Sequence, residues 1–62
     1  MNPRELKSRL ESDLDELYET VRTVTDEQTA IDIGKSIKYH QIAYMKLTKR
    51  YYLPKLRGLN DR

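Results

Sequence analysis

The stretch VTDEQTA, residues 24–30, decides whether this chain is one long helix or two. Val24 and Thr25 are β-branched, and two such residues in a row weaken a helix. Thr25 is a good N-cap, and Gln28 stands three residues on, where a capping box sends a side chain back to the cap N–H. Asp26 and Glu27 suit the positive end of a helix dipole. The stretch reads as a stop followed at once by a fresh start. It predicts a tight turn between two helices, with no glycine or proline to mark it.

Working upstream, Asn2-Pro3-Arg4-Glu5 is a second start signal, with Asn2 as cap, Pro3 at the first helical position and Glu5 where a capping box places it. Leu6, Leu10, Leu14, Leu17, Val21 and Val24 then recur every three or four residues, which at about 100° per residue is one narrow stripe. Glu5, Ser12, Glu16, Glu19 and Thr23 fall opposite. The first helix is expected over about 3–23. Downstream, Ile33, Ile37, His40, Tyr44, Leu47 and Tyr51 alternate at four and three, with Ala30 at the edge of their face. Pro54 disfavours helix at Leu53, so the second helix is expected over about 26–52. Residues 1–53 thus read as an all-α antiparallel hairpin, and residues 54–62 as a basic tail without period.

A chain of 62 residues is one small domain, and buries too little surface to be comfortably stable alone. It has no cysteine and a single histidine, His40, so disulfides, thiolate zinc sites and a histidine metal site are excluded. Association is the remaining remedy, and two hairpins pairing as a dimeric bundle is the simplest form of it. Apolar residues make up 37% and charged residues 35%, and no apolar run nears the roughly 18 residues that a membrane span needs. The start, MNPRELKSRLESD, lacks the apolar core of a signal peptide. A cytoplasmic protein that does not enter a membrane is expected.

Net charge is only +2, but it is unevenly spread. Residues 1–31 carry eight acidic and four basic side chains; residues 32–62 carry two and eight. Residues 38–57 hold four of the five tyrosines and no acid. On the second helix Lys35, Lys38, Lys46 and Lys49 stand opposite the apolar face, with Tyr39 and Arg50 at one edge and Ile31 and Ile42 amid the lysines. Lysines in this arrangement track a phosphate backbone, and a tyrosine beside them stacks on a base. Such a stripe is also what an ordinary solvated helix face looks like. Ile42 distinguishes it, since an isoleucine among lysines gains nothing from water. Tyr52 and Tyr39, off the apolar face, are the tyrosines expected to make contacts, whereas Tyr44 and Tyr51 are expected to be structural.

The other chemistry-bearing residues point to less. His40 sits on the apolar face, where a core histidine bonded across the bundle is the ordinary outcome. Asp13, Asp15 and Glu16 look like a carboxylate cluster but point to different sides of a helix. Gly34 costs about 1 kcal/mol against alanine inside a helix, which a close helix contact or ligand approach would explain, as would a tolerated weak spot. There is no glycine-rich phosphate loop, nucleophile–histidine arrangement or metal motif, so neither an enzyme nor a cofactor is expected. The function expected from sequence is a small regulatory protein that binds an anionic ligand, nucleic acid or nucleotide, through Lys35, Lys38, Tyr39, Ile42, Lys46, Lys49 and Arg50. The alternative is an adaptor or inhibitor that docks the same helix on an acidic partner protein; a structural subunit of a larger assembly is a third reading.

Overall fold

A computed structural model describes residues 2–54 of the chain. The expected basic tail, apart from Pro54, lies outside them. Two helices, α1 (Pro3–Thr23) and α2 (Glu27–Thr48), pack against one another as an all-α hairpin. Among the described residues, no helix is long and apolar enough to cross a membrane.

The first helix begins as its sequence dictates. Asn2 is the N-cap, its side-chain oxygen accepts the Glu5 N–H at 2.8 Å, and Pro3 occupies the first turn. The turn, residues 24–26, is as tight as expected, but its chemistry is not the expected one. Asp26, not Thr25, caps α2, accepting both the N–H and the hydroxyl of Thr29 at 2.8 Å each. Those bonds hold the Asp26 carboxyl below the usual aspartate range, the Thr29 hydroxyl first and its N–H second. The Gln28 amide reaches Asp32 instead of turning back to the cap. A carboxylate is the stronger acceptor and sits one residue nearer, so it takes the exposed donors.

The hairpin is antiparallel: Glu11 on α1 meets Tyr44 near the end of α2, and Tyr18 meets Gln41. The core between the helices is small. Leu10, Leu14 and Tyr44 are buried, with Tyr18, Ile37, Leu47 and Tyr52 packed against them. Among the described residues only Leu14 loses all contact with water, which is worth about 1.5–3 kcal/mol of apolar burial.

The second helix ends four residues before the expected Tyr52. Thr48 closes it, and Lys49 takes a left-handed backbone (φ 63°) while its N–H still bonds the Met45 carbonyl at 2.7 Å. The Thr48 hydroxyl donates to the Tyr44 carbonyl and accepts the Arg50 N–H. Residues 49–54 then form a strap along the hairpin. A left-handed lysine costs about 1–2 kcal/mol, and what the strap gains offsets it. The Tyr52 ring meets Tyr44 edge-on, centroids 5.2 Å apart, and its hydroxyl donates to Asp15 at 2.8 Å. The expected roles of two tyrosines are therefore exchanged. Tyr51, expected on the apolar face, is 58% exposed; Tyr52, expected as a contact residue, is packed on the core.

Candidate docking face on the second helix

Helical spacing places Lys35, Lys38, Ile42 and Lys46 on the side of α2 that faces away from α1, and all four are exposed. Tyr39, at the edge of this face, is 68% exposed. Lys49 closes the stripe at the end of α2, beyond the last regular turn. The structure separates Arg50 from it. Because α2 stops early, Arg50 belongs to the strap and lines a depression with Lys7, Glu11, Tyr44 and Thr48. The candidate face thus keeps six of the seven residues expected for it.

Its electrostatics follow from what is absent nearby. Among the described residues, Lys35, Lys38, Lys46 and Lys49 take part in no ion pair. Two acids of α1 pair with cations of their own helix, Glu11 with Lys7 at 2.8 Å and Glu19 with Arg22 at 3.6 Å, and Asp13 lies 3.7 Å from His40. The acidic helix does not neutralise the basic one.

Its apolar content is larger than Ile42 alone. Ile31, Ile42 and Met45 are each more than two-fifths exposed. With Lys38 and Lys49 they recur at seven, four, three and four residues, the spacing of a second seam on the back of α2. Met45 was missed as a candidate, although that spacing contains it. Gly34 borders the same seam. A Cβ built there meets nothing within 4 Å, so no close contact inside the hairpin calls for this glycine.

Two further clusters lie between the helices. The first is a network around Gln41, which is only 4% exposed and was not expected in the core. Its amide nitrogen donates to the Tyr52 carbonyl at 2.8 Å, and its amide oxygen accepts the Tyr52 N–H at 3.1 Å. The Tyr18 hydroxyl accepts a second bond from the same nitrogen and lies 3.5 Å from that of Tyr51. The Tyr44 hydroxyl donates to Glu11 at 2.7 Å, a bond that, ahead of burial, pushes its pKa up. For Tyr52 the order is reversed, burial first and Asp15 second, and the rise is larger.

The second cluster is an open groove of about 230 Å³ lined by Asp13, Glu16, Leu17, Thr20 and His40. His40 is bonded within its own helix, its Nδ1 2.7 Å from the Ser36 carbonyl, and its Nε2 faces Asp13 of α1 across the hairpin at 3.7 Å. Asp13 and Glu16 share this groove, although the three carboxylates were expected to point to different sides; only Asp15 points away, to the strap. Among the described residues, no group of three or more histidine or acidic side chains is placed to hold a metal ion.

No protein family, curated protein or solved structure matches the chain.

Proposed function

We propose that the chain is a small cytoplasmic, non-enzymatic binding protein that docks on an acidic partner protein through the outer face of α2. One observation carries this reading: Ile31, Ile42 and Met45 are exposed in a single seam among lysines that, among the described residues, no carboxylate neutralises. Burying apolar surface is worth about 25 cal/mol per Å², and a facing protein surface removes all three side chains from water together. A ribbon of phosphates would leave them wet. The lysines around them suit an acidic surface, where they speed encounter and set register. The sequence alone ranks nucleic acid or nucleotide first. That second reading keeps the support of the unpaired lysines and of Tyr39, open to stacking. Under either reading the chain also associates with itself, because its core is too small to stand comfortably alone.

The test is co-purification from a native lysate, with and without nuclease, beside titration against labelled DNA, RNA and nucleotides at low salt. The expected result is a retained protein that survives nuclease and is lost with Ile42→Ser, because a buried anchor sets the dissociation rate. The opposite ordering removes the proposal: Ile42→Ser silent, and joint replacement of Lys35, Lys38, Lys46 and Lys49 by Gln abolishing nucleic-acid binding. In that case each single lysine change lowers the salt slope by about one.

A further inference from the structure

The hairpin has two open sides, and the strap covers only one. On the covered side Tyr52 sits over Gln41 and Tyr44 and reaches Asp15. On the other, helical spacing aligns Leu6, Asp13 and Leu17 along α1 and Ile33 and His40 along α2. Nothing in the described chain closes this side. Leu6 is 39% exposed, Leu17 and Ile33 are half-buried, and the groove that Leu17 and His40 line is open to solvent.

We infer that a second copy of the chain covers this side, so that two hairpins pair with their straps facing outward. The inference rests on the self-association proposed above and adds the face that performs it. Charge selects that face. A two-fold contact sets a surface against itself, so any net charge it carries is doubled there. The outer seam of α2 fails this condition, since Lys35, Lys38 and Lys49 would meet their own copies. The uncovered side carries less charge: its central ionisable groups are Asp13 and His40, which face one another at 3.7 Å and pair only when the histidine is protonated, and Glu16 stands at its rim. Area agrees. The side runs from Leu6 to Val24, about 27 Å at 1.5 Å per residue, and is roughly 20 Å across two helices. Two such faces bury roughly 1,000 Å² in total, the lower bound for a specific interface. The dimer is therefore reversible on dilution. The two uncovered apolar faces then have different occupants: the charge-poor one a second copy, the lysine-bearing one a partner of opposite charge.

Sedimentation equilibrium over a dilution series, on the full chain, tests this with Leu6→Glu, Leu17→Glu and Ile42→Glu. The wild type is expected to dimerise reversibly. Leu6→Glu and Leu17→Glu should each weaken dimerisation by about tenfold or more, equal to 1.4 kcal/mol, and Ile42→Glu should leave it unchanged. Leu6 is already exposed in the single hairpin, so its replacement keeps the test valid if Leu17→Glu fails to fold. Because the chain has no cysteine, single spin labels at Thr20→Cys and Lys35→Cys provide a second reading, with a short intermolecular distance expected only at position 20. A wild type that stays monomeric at every concentration removes self-association altogether. A dimer that tolerates Leu6→Glu and Leu17→Glu but falls apart with Ile42→Glu removes only the choice of face.

Discussion

Gln41 holds the strap to the hairpin. Its side-chain amide offers one donor and one acceptor in a plane, and Tyr52 presents a backbone carbonyl and N–H to match. Removing the amide orphans both backbone groups in a site where Gln41 itself is nearly closed to water, at about 1–3 kcal/mol. Gln41→Ala should therefore lower stability by that amount in denaturant titration, and Tyr52→Ala, which leaves the backbone bonds in place, should cost about 2–3 kcal/mol through lost packing. A silent Gln41→Ala would mean that the strap does not bind through this amide. The tyrosines add a pH dependence. Burial and Asp15 raise the pKa of Tyr52, the bond to Glu11 raises that of Tyr44, and the bond with Tyr18 raises that of Tyr51. A group whose folded pKa lies above its unfolded value of about 10 stabilises fully below that value and loses the contribution as pH rises through the folded one. All three act in the same direction. Through these hydroxyls stability should fall above about pH 10, more steeply in the wild type than in the Tyr44→Phe, Tyr52→Phe double variant. Equal slopes in an alkaline stability series would show that these hydroxyls are not held in the fold.

At the scale of elements, α2 is the unusual one, because it is apolar on two opposite sides. One side packs on α1 through Ile37 and Tyr44, and the other shows Ile31, Ile42 and Met45 to solvent. A helix that served only the hairpin would need one apolar side. Gly34 fits the same picture. With open space around its absent Cβ, Gly34→Ala should stabilise the free chain by up to about 1 kcal/mol through helix propensity alone. A rise in melting temperature checks this; a fall would mean that something in the folded chain does approach Gly34. The early end of α2 is the other element-scale finding. The last turn of any helix leaves carbonyls without partners, so little is forfeited by stopping at Thr48, while the freed residues reach Asp15 and Gln41.

For the whole molecule, the small core sets where damage is greatest. Leu14 touches no water, whereas Leu17 and Ile37 are only half-buried. Leu14→Ala is expected to cost about 2–5 kcal/mol, enough to unfold much of a chain this small at micromolar concentration. Leu17→Ala and Ile37→Ala should each cost less. Circular dichroism of the three variants at one concentration checks the ranking, and Leu17 exceeding Leu14 would place the core elsewhere. The ion pairs Lys7–Glu11 and Arg22–Glu19 join neighbours on one helix and are largely open to water, with Glu11 half-buried, so they contribute little to stability. Salt should change stability little.

What the sequence by itself determined is local. The division into two helices at residues 24–26, the Asn2–Pro3 start and the lysine stripe from Lys35 to Lys46 depend on residues within four positions of one another. Caps and i, i+4 spacing act over that distance, so the hairpin and the heart of the candidate face were legible without coordinates. Only the tertiary structure decided the rest. Spacing alone carries α2 on to Tyr51, and nothing near Thr48 announces that Tyr52 has a better partner at Asp15, 37 residues away. Gln41 enters the core for the same reason, since its partners Tyr18 and Tyr52 lie 23 and 11 residues off. Arg50 leaves the lysine stripe because the strap takes it. The strap also decides which side of the hairpin is covered and which is left open. A polar side chain is buried, and a helix ended, by bonds that form only once distant segments meet.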